Sequence, residues 1–361
     1  GRSSAFANRR LPGTHEPTAP VQDRMVTRTF IPMQPFGLIT GLGLLAGATV
    51  LYSLSTGSLD TDWAQLGRIL SGSAEGLAAS VVWDIRLPRT ITAFTTGALL
   101  ALAGALMQVL LRNPLADPYI LGISGGAAAG ALATLLLGLG GMWLHGAAFA
   151  GALLSMLLVF GLSHSRGTWT PTRLLLTGVV VAAGWGAVIG FLLAISTDST
   201  LRGMVFWLMG DLSYRQNPLP GVVVLIPGLL LAMLWGRQLN ILARGELPAA
   251  ALGVEVVPLR RAIYVLGSLL SAAAVSLAGS VGFVGLIIPH LLRLLGARDH
   301  RILLPASVLL GGSLLVLADT LARTVLAPRQ LPVGILTALI GVPVFLFLLH
   351  RNTAQTGETP A

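Results

Sequence analysis

The sequence predicts an all-α, polytopic membrane protein with about ten transmembrane helices. Hydrophobic residues make up 54% of the 361 residues and charged residues only 10%, whereas soluble domains carry about 25% charged residues. The chain also contains 44 glycines, which let helices approach closely within a bilayer. A transmembrane β-barrel would instead show alternating segments of about ten residues, so the composition favours helices.

The polar and apolar segments divide the chain into a membrane domain with a tail at each end. Residues 1–32, which are polar and rich in arginine and proline, are predicted to be a disordered cytoplasmic tail. The membrane domain is predicted over residues 33–351 and a C-terminal tail over 352–361. Its apolar intervals are 34–54, 90–111, 118–165, 173–195, 219–236, 262–292, 303–325 and 332–350.

Two of these intervals are too long for one span. We divide 118–165 near Gly138 to Gly141. We also divide 262–292 into two helices, the second short and broken, because the apolar run is interrupted by Gly279, Gly282, Gly285 and Pro289. Interrupted segments of this kind often line transport pathways. The total is ten spans.

The missing residue types exclude several functions. The sequence contains no cysteine and no lysine. Without lysine there is no G-x-x-x-x-G-K-[ST] phosphate-binding loop, so ATP and its Mg²⁺, if they drive the protein, bind to another polypeptide. We predict no enzymatic activity and no cofactor in this chain.

The arginine distribution predicts the orientation. With the N-terminal tail taken as cytoplasmic, sixteen of the 23 basic residues fall on the cytoplasmic side, as the positive-inside rule requires. Both termini are therefore predicted inside. The same rule accounts for the net charge of +9, so we do not infer a nucleic acid partner.

Residues 237–261 form a charged loop on the predicted inner side that is unsuited to cross a bilayer. Its sequence predicts a short helix that begins near Pro248 and ends at Gly253, with Glu246 just before it and a second short helix from Val254. The loop is either a rigid docking peg for a partner or an ordinary interfacial amphipathic loop.

Four arginines, Arg86, Arg89, Arg323 and Arg329, fall on the predicted outer face. They are either snorkelling membrane anchors or exposed cations that pair with carboxylates of a docking protein or an anionic ligand. Asp319 lies one helical turn before Arg323, so we expect an ion pair between them.

Several motifs resemble the FecCD family, the permease subunits of bacterial ABC importers for ferric siderophores, haem and cobalamin. They are R-L-P-R-T, R-N-P-L-A-D-P-Y-I-L-G-I-S-G-G-A, A-A-A-L-G-V, G-F-V-G-L-I-I-P-H-L-L-R and L-P-V-G-I-L-T-A-L-I-G-V-P. The resemblance extends over residues 34–350 and implies the fold of the cobalamin-importer permeases. It also implies a homodimer in the bacterial inner membrane, two cytoplasmic ATPase subunits and a periplasmic binding protein.

The resemblance further implies roles for residues of this sequence. Docking of the binding protein would involve Arg86, Arg89 and Arg323. Contact with the ATPase would involve Leu247, Pro248, Ala249, Ala250, Ala251, Leu252, Gly253 and Val254. The cytoplasmic gate would comprise Asn113, Pro114 and Leu115 with Thr170 and Thr172, although Pro171 departs from the commoner polar pattern.

We expect the cargo to be haem, with a ferric siderophore and cobalamin as alternatives. A secondary transporter or channel acting alone is a rival, but it would need ionisable residues near mid-span, and the first eight predicted spans have essentially none. An intramembrane enzyme is a third reading, which the sequence supports least because it has no paired mid-membrane carboxylates.

Overall fold

The computed structural model describes residues 35–57, 61–163, 170–213 and 217–356. The tail predicted at residues 1–32 lies outside these ranges. The described residues form fifteen α-helices, with a π-helical turn at Val81–Arg86 and a 3₁₀ turn at Pro118–Leu121. The helices are α1 Pro35–Ser55, α2 Trp63–Leu70, α3 Leu77–Ser80, α4 Leu87–Leu110, α5 Ile123–Leu136, α6 Met142–Ser163, α7 Pro171–Ala194, α8 Asp198–Leu208, α9 Leu219–Leu234, α10 Gly236–Leu242, α11 Glu246–Ala251, α12 Val256–Ala278, α13 Val284–Leu294, α14 His300–Thr324 and α15 Val333–Thr356.

The helix lengths confirm the polytopic fold class. Among the described residues, six helices are long and apolar enough to cross a membrane, and the pair α9 and α10, bent by 63°, adds a seventh crossing if counted as one. Three shorter apolar helices are α5, α13 and the Val333–Phe347 part of α15. Together they correspond to the ten predicted spans. Helix α15 continues to Thr356, past the predicted domain end at 351.

Helix α4 occupies the centre of the bundle, where it contacts α12, α13 and α14. Nearly all of its residues from Thr92 onward are buried. Glycines allow this packing, because a Cβ atom on Gly97 would overlap the carbonyl of Gly311, and one on Gly104 would overlap the carbonyl of Gly285. The backbones therefore meet directly, as small residues permit between membrane helices.

The predicted division of residues 262–292 is confirmed, with one correction. Helix α12 ends at Ala278, and Gly279 and Phe283, with φ of 68° and 70°, turn the chain before α13 begins at Val284. Helix α13 is short, as predicted, but it is not broken at Pro289, which lies inside it. The turn ahead of the helix takes up the change of direction.

The segment before α4 is more helical than its polar sequence suggests. Residues 77–110 form one continuous helix, although we predicted a span only from residue 90. Pro88 would crowd the carbonyl one turn earlier in a regular α-helix. The wider π-helical turn at Val81–Arg86 lies immediately before it and accommodates the ring.

Candidate functional sites at the two ends of the bundle

Helix α11 lies between two glycine turns at one end of the bundle. It begins at Glu246, preceded by Gly245 at φ 130°, so Glu246 is its first residue and not a residue ahead of it as predicted. The predicted end is confirmed, since Gly253 has φ 78°. The N–H groups of Gly253 and Val254 return to carbonyls of the helix, as in a Schellman cap.

The second short helix predicted from Val254 is wrong. The chain enters α12 at Val256 and continues as a spanning helix to Ala278, because no helix breaker follows Pro258, which lies in the first turn where proline is tolerated. The short partner of α11 is α10, Gly236–Leu242, which precedes it. Sequence reasoning missed α10 because its residues Arg237, Gln238 and Asn240 are polar, and the segment was assigned to the charged loop.

One side of α11 is anchored and the other is open. Ala249 is fully buried, whereas Leu247 and Leu252 have 85% and 69% of their surface exposed. Ala250 and Ala251 are exposed as well. The helix thus presents two leucines around a surface of small residues.

The predicted gate turn lies at the same end, directly after α4. Arg112 has φ 49°, a left-handed conformation that costs a residue with a side chain about 1 kcal/mol. The N–H groups of Arg112 and Asn113 return to the carbonyls of Val109 and Gln108 at 3.2 and 3.1 Å. Arginine thus occupies the position where such a cap usually has glycine.

The residues after Arg112 are fixed by side-chain hydrogen bonds to the backbone. Asn113 Oδ1 accepts the N–H of Leu115 at 2.9 Å, and Asp117 Oδ1 accepts the N–H of Tyr119 at 2.7 Å. Burial raises the pKa of Asp117 to about 6, while the hydrogen bond from Tyr119 lowers it. Pro114 is exposed and Leu115 is half-buried.

Gln108 attaches this turn to α13. Its amide Nε2 donates to the carbonyls of Gly285 and Leu286 at 3.3 and 3.2 Å, and its Oε1 accepts a hydrogen bond from Arg293. Gln108 thus joins α4 to α13 as both a hydrogen-bond donor and an acceptor. The end of α4 is therefore held by polar contacts as well as by glycine packing.

The second predicted gate segment begins α7. Thr170 caps this helix, since its Oγ1 accepts the N–H of Arg173 at 3.3 Å, and Pro171 is its first residue. Proline there suits the helix start, so its departure from the commoner pattern has a structural reason. Thr170 and Thr172 are both exposed.

The predicted docking arginines lie near the start of α4, at the other end of the bundle. They are largely buried, whereas the docking hypothesis requires exposed cations. Arg86 has only 3% of its surface exposed. Its Nη1 donates to the carbonyls of Leu54 and Ser55 at 2.7 and 3.3 Å and to Thr61 Oγ1 at 3.2 Å. A guanidinium with several donors can bind such a set of carbonyls, so Arg86 fastens α1 to the start of α4.

Arg89 and Arg323 share one buried carboxylate. Arg89 Nη2 lies 2.8 Å from Asp319 Oδ1, and Arg323 Nε lies 3.2 Å from Asp319 Oδ2. The Asp319 side chain is 1% exposed, and those of Arg89 and Arg323 are 12% and 10% exposed. The predicted pair of Asp319 with Arg323 is confirmed, but its second partner, far away in sequence, was missed.

Next to this cluster lies an open hollow of about 610 Å³. It is lined by Arg89, Arg202, Arg329, Gln330, Ser213 and apolar residues. Arg202 and Arg329 are exposed, and the guanidinium of Arg202 lies 5.5 Å from the centre of the Phe206 ring, a cation–π contact. Among the described residues that line the hollow, the exposed positive charge is therefore at Arg202 and Arg329.

Comparison with known proteins identifies the family. Residues 44–351 match the FecCD transport family. The chain belongs to this family. Its predicted family and fold are thereby confirmed.

Individual FecCD relatives match over most of their length. The chain is 41% identical over 334 residues to the uncharacterized ABC transporter permease protein YvrB of Bacillus subtilis, covering 87% of this chain and 93% of YvrB. It is 41% identical over 320 residues to the vitamin B12 import system permease protein BtuC of Klebsiella pneumoniae, covering 87% and 94%. A solved structure of a metal-chelate type ABC transporter, described as inward-facing, has a TM-score of 0.76 at 33% identity, covering 87% of this chain and 99% of that one.

Replacing Asp319 with asparagine tests the buried ion pairs. Asp319→Asn leaves Arg89 and Arg323 near each other without a countercharge, and breaking a buried pair in this way costs about 3 kcal/mol or more. We expect a clear loss of thermal stability in detergent, measured by size-exclusion chromatography after heating. Asp198→Asn, at an exposed position, is the control, and equal stability of the two variants would contradict the network.

Proposed function

We propose that this chain is the transmembrane permease subunit of an ATP-driven importer in the bacterial inner membrane. The observation that carries the proposal is α11, a helix that lies between two glycines of positive φ, Gly245 and Gly253, with Leu247 and Leu252 exposed. A FecCD chain without lysine has no phosphate-binding loop. In the dimer proposed below, two ATPase subunits bind ATP and Mg²⁺, and each contacts residues 247–254 of one chain.

The orientation follows from this assignment. The α11 end faces the cytoplasm, where the ATPases are, and the cluster of Arg86, Arg89 and Arg323 faces the periplasm. The majority of arginines on the α11 side supports this direction, and both termini are then cytoplasmic. The turn at residues 113–115 and the start of α7 at Thr170 and Thr172 lie at the cytoplasmic end and form the gate.

We propose a homodimer that uses α7. Among the described spanning helices that are long enough to cross on their own, α7 has the smallest buried share, 11%. Ala183, Gly186, Ala187 and Gly190 lie on one exposed face of it, and a Cβ on either glycine would meet nothing within 4 Å. Small residues at this spacing let membrane helices approach closely, so this face suits a second copy.

The binding protein docks on the periplasmic end, and the burial pattern divides the predicted arginines into two groups. Arg86 and Arg323 stabilise this end of the bundle through hydrogen bonds and ion pairs with other residues of the chain. Arg89 reaches the hollow, where Arg202 and Arg329 offer exposed cations. Glutamates of a binding protein would therefore pair first with Arg202 and Arg329.

The cargo we propose is haem, with a ferric siderophore or cobalamin as alternatives that use the same architecture. All three are bulky metal chelates. The solved relative described as a metal-chelate type transporter supports this class, and the vitamin B12 permeases among the relatives support the cobalamin alternative. A transport pathway passes its cargo best when it binds it weakly.

Reconstitution tests the proposed function. The permease, its ATPase and its binding protein are placed in proteoliposomes, and uptake of haem, a ferric siderophore and cobalamin is measured side by side. We expect ATP-dependent uptake with haem preferred, and no uptake with an ATPase whose catalytic carboxylate is substituted. Uptake by the permease alone on an ion gradient would instead support a secondary transporter.

A bulky residue at position 253 tests α11 as the ATPase contact. Gly253→Val forces a β-branched residue to φ 78°, a strained conformation that displaces the end of α11. We expect uptake to fall at least tenfold while the permease still assembles as a dimer. Gly138→Val is a matched control, because Gly138 has φ 69° in open space at the opposite end, and it should retain uptake.

If Gly253→Val transports as well as the parent, α11 is not the contact. If both glycine variants lose uptake to the same extent, the loss reflects general backbone strain. That result would also contradict the assignment of α11 as the ATPase contact.

Charge reversal tests the docking surface. The double variant Arg202→Glu and Arg329→Glu should abolish stimulation of ATP hydrolysis by the binding protein, because carboxylates would then face carboxylates, while basal hydrolysis persists. Arg68→Glu, an exposed site on α2, is the control. Stimulation that survives the double reversal would show that other groups make the contact.

A further inference from the structure

One carboxylate connects three segments at the α11 end. Glu246 Oε1, in the first turn of α11, lies 3.1 Å from Arg260 Nη1 and 4.0 Å from Arg112 Nη2. Arg260 belongs to α12, and Arg112 directly precedes Asn113 in the turn after α4. The side chains of α11, α12 and the gate turn therefore meet at a single oxygen atom.

The two arginines are not equivalent partners. The Arg260 side chain is 7% exposed and belongs to the packed bundle, whereas the Arg112 side chain is 47% exposed. The contact with Arg260 is short, and the contact with Arg112 is at the limit for an ion pair. Glu246 is thus anchored on α12 and close enough to Arg112 that a small shift of α11 would tighten or break the second pair.

The backbone of Arg112 adds an independent observation. Its left-handed φ of 49° is a strained conformation for a residue with a side chain, and such strain persists only when surrounding contacts hold it. The pair with Glu246 is a contact of this kind, in addition to the capping hydrogen bonds donated by the N–H groups of Arg112 and Asn113. When it is lost, the turn at residues 112–115 has a reason to change conformation.

We infer that Glu246 is the positioning residue that transmits movement of α11 to the turn formed by residues 112–115. This inference rests on the proposed function, in which an ATPase moves α11 and the turn belongs to the gate. Because Arg112 and Arg260 share one carboxylate oxygen, displacement of α11 changes how that charge is divided between them. A tighter pair between Glu246 and Arg112 holds the turn, and loss of that pair releases it.

The test uses the reconstituted importer with variants that isolate the pair. Arg112→Gln removes the contact with Glu246, and Arg112→Lys keeps the positive charge. Glu246→Gln removes the carboxylate, and the double variant closes the cycle. Glu255→Gln, at an exposed glutamate of the same loop, is the matched control. Cargo transported per ATP hydrolysed is measured for each variant.

We expect Arg112→Gln and Glu246→Gln each to lower transport per ATP by a factor of about two to five, the range of a partly exposed ion pair. The double variant should be no worse than Glu246→Gln, and Arg112→Lys and Glu255→Gln should stay near the parent value. Additive losses in the double variant would overturn the inference, as would an unchanged ratio in Arg112→Gln.

A second readout separates transmission from a merely structural effect. The chain contains no cysteine, so Leu115→Cys provides a single labelling site in the gate turn. In the parent we expect ATP to change the rate of maleimide labelling at this site, and Arg112→Gln should at least halve that change while Arg112→Lys restores it. If ATP changes labelling equally in Arg112→Gln and the parent, Glu246 does not transmit movement.

Folding and function are distinguished within the same experiment. Should Glu246→Gln fail to assemble because buried Arg260 loses its countercharge, Arg112→Gln, at a half-exposed position, still decides the question. If the unmodified importer shows no ATP-dependent uptake, the proposed function fails. If it transports normally and Arg112→Gln does too, only the role of Glu246 fails.

Discussion

Direct backbone contact holds α4 at the centre of the bundle. At Gly97 and Gly104 the helix meets the backbones of α14 and α13 with no side chain between them, and dispersion contacts at that distance replace the hydrophobic effect that lipid does not supply between helices. Since the same helix follows Arg86 at one end of the bundle and leads into Arg112 at the other, its rigidity determines how the two ends are spaced. Both candidate sites depend on this packing.

Much of the fold was predictable because the bilayer imposes strict rules on sequence. Uncharged runs of bilayer length gave the spans, and the glycines at positions 138 and 253 marked real turns. The predictions failed where hydropathy carries no signal. Helix α10 is short and carries Arg237, Gln238 and Asn240, so its hydropathy is that of a charged loop. The π-helical turn before Pro88 depends on local geometry that an average over a window does not record.

The candidate sites, like the fold, were predictable only in part. The position of α11 and the turn after α4 followed from glycine, proline and charge spacing along the chain. The burial of Arg86 and the pairing of Arg89 with Asp319 did not, because they join segments far apart in sequence. Arginine in a sequence shows only that a positive charge is present. Whether it faces solvent or neutralises a buried carboxylate is decided by tertiary packing.

The cluster around Asp319 has a consequence for how relatives of this chain diverge. One carboxylate pairs with two guanidinium groups where all three are largely removed from water. Losing either arginine leaves the other paired with Asp319, but losing the carboxylate leaves two guanidinium groups without a countercharge, so a neutral residue at position 319 is tolerated best when positions 89 and 323 are neutral as well. Residues 89, 319 and 323 should therefore covary across the family as a set, independently of which cargo each transporter carries.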